Sequence, residues 1–371
     1  MDVTRRTRLL LLAAAGLAAA LVIGACGGDD DDEGDGGESA GGGKIAFLLP
    51  ETQTARYESQ DRPLFEAKVE ELCPDCEILY FNADQDIPTQ QQQVETAVTE
   101  EADVMVLDPV DSTSSAGLAN RAKQADIPVI SYDRLILDAD LDYYVSFDSV
   151  EVGNQQGEAL AEKLAEDGDP KGPIVKINGD PQDNNATLFD EGSDAALGDA
   201  GVEIAQEYDT PDWLPENAQR EMDQAITAVG KDGFTGVYAA NDGTAGGAIA
   251  ALKGAGIDPA QTPVTGQDAE LAAIQRILDA EQYMTVYKPI KPLAEGAAEL
   301  AVAIANGEEP PEGLINGEED NGAEQVPTVF LETVAVTKDN VQDTIIADDF
   351  WSVNEICTQQ YAQACKDAGI Q

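Results

Sequence analysis

The chain has 371 residues, with 21 Lys and Arg against 72 Asp and Glu and no His, for a net charge of −51. That balance leaves no basic groove to neutralise the phosphates of a nucleic acid. The lack of His removes Ser-His-Asp and Cys-His catalysis and His-ligated metals.

At the N-terminus, Arg5, Arg6 and Arg8 precede an apolar run from Leu9 to Ile23. The run is shorter than the ~20 residues of a bilayer-spanning helix and ends in small residues, which predicts an export signal over residues 1–25. Ile23-Gly24-Ala25-Cys26 resembles a bacterial lipobox, which implies a lipidated Cys26 and an extracytoplasmic protein anchored to the cell membrane. Residues 26–43, rich in Gly and acidic side chains and including Asp29 to Asp32, have nothing to bury and read as a solvated tether.

From Lys44 onward the chain is long enough for two lobes with separate cores. Short apolar runs predict strands buried on both faces: Ile45 to Leu49, Ile78 to Phe81, Val104 to Leu107, Val129 to Tyr132, Tyr143 to Phe147, Ile174 to Ile177, Val237 to Ala240 and Thr285 to Tyr287. Between them Leu64, Phe65, Val69 and Leu72 recur at helical spacing, as do Leu118, Ala119, Ala122 and Ala125, and then Leu293, Ala297, Leu300, Ala301 and Ile304. Such alternation means right-handed βαβ units, an α/β class, and two doubly wound parallel sheets.

Ligands of open parallel sheets sit beyond the carboxyl ends of the strands. There the sequence turns polar: Asp133-Arg134, the stretch Asn178 to Asn185, Asn241-Asp242, Gln267-Asp268 and Lys288. Any one of these reads equally well as a helix N-cap; five converging on one cleft read as a site. Amide, carboxylate and cationic groups, with Tyr57 and Trp213 nearby, suit a pyranose, whose hydroxyls both donate and accept and whose C–H faces pack on aromatic rings. No Gly-x-x-x-x-Gly-Lys-Ser/Thr loop occurs. The carboxylates lie beside amides or cations, which favours permanent acceptors over proton donors. The reading is a binding protein, not an enzyme, with no cofactor or metal; Asp84 and Asp86 are the candidates for a structural calcium, a solvated loop being the plainer account.

Cys73, Cys76, Cys357 and Cys365 form an even set, which in an exported chain reads as two disulfides. Local pairs are the simplest of three pairings; a four-thiolate zinc site would need a shorter second spacing.

The residues from Lys44 to about Asp349 resemble the sugar-binding proteins of bacterial ABC importers, the type I periplasmic family that takes ribose, galactose and xylose. The resemblance rests on Ser131-Tyr132-Asp133-Arg134, Asp138 to Asp148, Asp183-Asn184-Asn185-Ala186, Trp213 to Ala218, Asn241 to Ile249, Gly266 to Ala269 and Met284 to Ile290. It implies two Rossmann-like lobes joined by a three-strand hinge, 44–149 plus 287–327 and 150–286 plus 328–349, with a tail over 350–371 that has no counterpart. It also implies a monosaccharide, D-xylose first, an importer permease as membrane partner, and a monomer. By motif position Arg56, Asp133 and Arg134 reach the sugar from the first lobe, and Asn185, Trp213, Asn241 and Asp268 from the second, with Lys288 at a crossover. Tyr57 stands where the family pattern has Trp, in a stretch one residue longer, and its smaller ring relaxes the choice between pentose and hexose.

Overall fold

The computed structural model describes residues 42–370; the expected signal, the lipidated Cys26 and the tether up to residue 41 lie outside the described residues. The first lobe is built from β1 (Lys44–Leu49), α1 (Arg62–Leu72), β2 (Glu77–Asn82), α2 (Ile87–Thr99), β3 (Val104–Leu107), α3 (Ala116–Lys123), β4 (Val129–Tyr132) and β5 (Tyr143–Phe147). The chain then enters the second lobe with α4 (Ser149–Glu166), β6 (Ile174–Ile177), α5 (Asn184–Ala200), β7 (Ile204–Tyr208), α6 (Pro215–Val229), β8 (Gly236–Ala239), α7 (Asp242–Ala255), α8 (Leu271–Leu278) and β9 (Met284–Tyr287). It returns to the first lobe through α9 (Ile290–Ala305), β10 (Gly317–Asp320) and β11 (Gln325–Leu331), and crosses back at β12 (Val334–Thr337). Two short helices, α10 (Val353–Ile356) and α11 (Ala362–Asp367), end the chain.

The first sheet has the order β10-β11-β5-β4-β3-β1-β2, parallel except for β10. The second runs β7-β6-β8, and single bridges from Val237 to Val264 and from Gln267 to Val286 carry it on to β9 and β12. The central strands β1 and β3 are apolar and buried along nearly their whole length, as burial on both faces requires. In the first lobe one core layer centres on Phe47, Phe65 and Leu293 and the other on Leu48, Leu107 and Ala122. In the second, Val237, Met222 and Leu252 fill one face, and Leu160, Phe189 and Val286 the other.

Three crossovers join the lobes, between β5 and α4, β9 and α9, and β11 and β12. The last departs from the boundary expected at 327/328. β11 pairs with β5 from Thr328 to Leu331, so the crossover falls after Leu331, in the turn before Val334. A short apolar strand can serve either sheet, and only its pairing partner decides which. The tail is also part of the body: Ile356, Ala364, Cys365 and Ile370 are buried in the core layer that contains Phe47 and Leu293. Cys73 is bonded to Cys76 and Cys357 to Cys365, with Cα atoms 5.3 and 5.9 Å apart. Asp86 caps α2 by accepting from the Thr89 N–H, and Asp84 accepts from the Thr52 hydroxyl, so both have structural partners.

Candidate functional site

All nine side chains singled out from the sequence line one cavity between the lobes: Arg56, Tyr57, Asp133, Arg134, Asn185, Trp213, Asn241, Asp268 and Lys288. The lobes are closed on one another: across the cleft Arg134 pairs with Asp183 and the Asn185 amide donates to the Asp133 carbonyl.

The groups come from the segments that follow the carboxyl ends of the strands. After β4 the backbone turns sharply: Asp133 sits at φ 56°, and its carbonyl accepts from the Tyr144 hydroxyl, the Ser146 hydroxyl and, across the cleft, the Asn185 amide at 3.1 Å. Its carboxylate accepts from the Tyr57 hydroxyl and pairs with Arg56, each at 2.8 Å. Burial pushes that carboxyl up, but the Arg56 and Lys288 charges and the Tyr57 hydrogen bond outweigh it and leave Asp133 at about 2. Asp133 is therefore a permanent acceptor.

After β6, Asp183 caps α5 through the Asn185 N–H at 2.9 Å and pairs with Arg134 at 3.0 Å. Burial raises its carboxyl, opposed by Arg134. Trp213 stands in a turn at φ 52° and donates its indole N–H to Asp183 at 3.2 Å. Its ring lies against Gly179, where a Cβ would come within 2.0 Å of the indole; only glycine admits the ring there. Asn241 caps α7 by accepting from Thr244 N–H and also faces the cavity, so the capping and site roles coincide in one residue. Asp268, at φ 92°, pairs with Lys288 at 2.8 Å and approaches Arg56 to 3.9 Å. Tyr57 lies under the Arg56 guanidinium, 4.8 Å from its ring centroid, with Arg134 at 5.9 Å.

The same cavity is lined by Thr54, Asp183, Phe189 and Gln267, which the sequence reading did not nominate as ligand groups. Asp183 carried a usable signal, since it lies in the polar stretch Asn178 to Asn185 that directly follows a buried strand. Nothing in the sequence marks the clasp at the cleft mouth: the Ser112 N–H donates to the Gln182 carbonyl and its hydroxyl accepts from the Asn184 N–H, both at 3.0 Å, while the Gln85 amide donates to Asp180.

Among the described residues, the buried lining acceptors Asp133 Oδ1, Asn185 Oδ1 and Gln267 Oε1 have no hydrogen-bond partner, and the Arg56 N–H groups have none of good geometry. The lining can thus orient a ligand rich in groups that both donate and accept. A metal is not what it is built for, since cations already sit among its carboxylates. Elsewhere, Asp190, Asp194 and Glu207 bring oxygens within 4.8 Å of one another, but the Lys176 ammonium donates to Asp190 and Asp194 and supplies their cation.

Among known proteins, the periplasmic binding protein domain matches residues 45–309. The D-xylose-binding periplasmic protein of Escherichia coli is 38% identical over 84% of this chain and 92% of its own length. The multiple sugar-binding periplasmic receptor of Rhizobium radiobacter is 33% identical over 74% of this chain and 81% of its own. The solved carbohydrate transporter solute-binding protein of Chloroflexus aurantiacus, in complex with D-glucose, superposes with a TM-score of 0.75 at 29% identity, covering 84% of this chain and 97% of that one. These relatives bind solutes and are not enzymes. The two lobes, the three crossovers and the polar cleft have the same explanation: the chain belongs to the periplasmic binding protein family.

Proposed function

We propose that this protein captures an aldopyranose, D-xylose first, between its lobes and delivers it as a monomer to the permease of an ABC importer, tethered to the membrane by lipidated Cys26. The observation that carries the sugar is the set of orphaned acceptors beside under-used arginine donors in one closed cavity. Each sugar hydroxyl supplies one proton to such an acceptor and one lone pair to such a donor. Leaving any of these groups stranded costs about 1–3 kcal/mol, which is how the site rejects a wrong epimer. The 38% identity to a xylose-binding relative favours xylose. A hexose is the second reading, favoured by the glucose complex of the Chloroflexus aurantiacus relative and by Tyr57 in place of a larger ring.

Isothermal titration of the purified chain against a monosaccharide panel tests this. A Kd for xylose near ~1 μM, about −8 kcal/mol, that is abolished in the Arg134→Ala, Asp268→Ala double variant supports it. A folded protein that binds no monosaccharide sinks the sugar assignment. For the anchor, Cys26→Ala should move the protein from the membrane fraction to the soluble fraction; if the wild type is already soluble, the anchor is wrong.

A further inference from the structure

Asp268 owes its position to an uncommon piece of backbone. Asp268 and Ala269 both lie at positive φ, 92° and 51°, where side-chain-bearing residues settle only when their surroundings over-determine them. From the lobe side the loop is tied by Asp268 N–H to Val286 carbonyl at 2.9 Å, by Ala269 N–H to the Thr285 hydroxyl, and by Glu270 N–H to Asp242 at 2.9 Å. The Ala269 carbonyl points the other way and accepts from the indole N–H of Trp351 at 2.8 Å.

Trp351 belongs to the C-terminal tail, beyond the residues matched by the family domain. Beside the loop lies an apolar groove bounded by Asp268, Glu270, Phe350 and Trp351. Trp351 borders the loop on this side, and its indole N–H ties the loop to the tail. The tail itself is well anchored. Gln275 donates to the Glu355 and Ile356 carbonyls, Phe350 packs against Tyr287 at 4.9 Å, and the Cys357–Cys365 disulfide closes the following turn.

We propose that Trp351 is a positioning residue for ligand selection: its indole N–H holds the Ala269 carbonyl and so keeps the Asp268 carboxylate aimed into the cleft. This rests on the sugar-binding reading above. The tail that lies outside the matched domain then takes part in tuning the site, through one hydrogen bond rather than by touching the ligand.

The test is a double-mutant cycle on the full chain, with D-xylose titrated into wild type, Trp351→Phe, Asp268→Asn and the double variant. Phenylalanine keeps a ring in place and removes the donor. The expected result is a 5- to 20-fold weaker Kd for Trp351→Phe and less than a twofold further loss when Trp351→Phe is added to Asp268→Asn. Fully additive losses, or an unchanged Kd in Trp351→Phe, overturn the proposal. Amide hydrogen exchange of the sugar-free protein separates this idea from the sugar reading. Faster exchange at residues 268–270 in Trp351→Phe is expected even if no sugar binds, and unaltered exchange there overturns the proposal on its own. Should Trp351→Phe fail to fold, Gln275→Ala loosens the tail from the opposite side. It should give a smaller loss that again vanishes in the Asp268→Asn background; a loss that persists there overturns the proposal.

Discussion

Asp183→Asn tests the closed cleft most directly. Asp183 is buried and takes three donors: Arg134 at 3.0 Å, the Trp213 indole at 3.2 Å and the Asn185 N–H at 2.9 Å. Arg134 follows β4 in the first lobe and Asp183 follows β6 in the second, so their pair forms only when the lobes meet. Asparagine keeps one oxygen for the cap but turns an N–H toward the guanidinium and the indole, setting donor against donor. Removing one partner of a buried charge pair costs about 2–5 kcal/mol. Arg134 retains Glu51 at 3.7 Å and Asp108 at 3.8 Å, which places the cost near the lower part of that range. About 3 kcal/mol corresponds to ~150-fold. The loss of the Arg134 pair falls on the closed form alone, whereas the indole clash lies within one lobe and is felt open and closed alike, so the Arg134 factor is the one that should appear in the Kd for xylose, mainly as faster release in stopped-flow. A variant with an unchanged melting temperature that binds within threefold of wild type refutes the reasoning, because the ion pair would then contribute nothing to closure.

Ser112→Ala removes the hydroxyl that accepts from Asn184 N–H at the cleft mouth, neither residue itself lining the cavity. One neutral hydrogen bond is worth about 1 kcal/mol, so a ~5-fold rise in Kd and in the release rate is expected, with the ranking of sugars unchanged. Stability should fall as pH rises toward 8. Burial, reinforced by the Asp242 and Asp268 charges, raises Glu270 to about 8, and burial, opposed by Arg276, raises Asp242 to about 7. Above the ordinary carboxylate pKa of about 4 the folded state then holds protons that the unfolded chain has lost, so this stabilisation is complete below about pH 4 and disappears through pH 7–8. Melting scans between pH 5 and 8.5 should show the decline, and Glu270→Gln should flatten it; an equal slope in the variant would clear Glu270. Replacing Cys357 and Cys365 by Ser opens a loop of sequence separation 8 and should cost about 2–3 kcal/mol, read as a lower melting temperature than wild type under non-reducing conditions.

What the sequence made legible follows from which strands are buried. Continuous runs such as Ile45 to Leu49 and Val104 to Leu107 sit in the middle of a sheet, where both faces demand carbon, and they read plainly. β7 and β10 lie at sheet edges with water on part of their surface, so Ile204–Tyr208 and Gly317–Asp320 carry Gln, Glu and Asp and look like loop. The site was legible for a related reason: polar residues directly after buried strands have few places to go except the cleft. Ser112 has no such marker. It follows no strand end directly, and its partners at 182 and 184 belong to another lobe, so its role exists only once the lobes are docked. Trp351 is similar, being a tail residue whose indole N–H donates to a carbonyl 82 positions away.

The charges in the lining settle how a chain of net charge −51 can present a cavity for a neutral ligand. Arg56, Arg134 and Lys288 face Asp133, Asp183 and Asp268, so the lining itself is balanced and the acidity of the surface does not extend into it. The same pairs give closure its driving force, since Arg134 with Asp183 and Arg56 with Asp268 join residues of opposite lobes. Against them stand the stranded acceptors of Asp133, Asn185 and Gln267, each costing about 1–3 kcal/mol when buried without a donor. The two contributions are of similar size and opposite sign, which leaves the empty closed form without a decisive advantage. Sugar hydroxyls change only the second of them, converting each stranded acceptor into a hydrogen bond, and a shift of a few kcal/mol on that side is enough to move the population from open to closed.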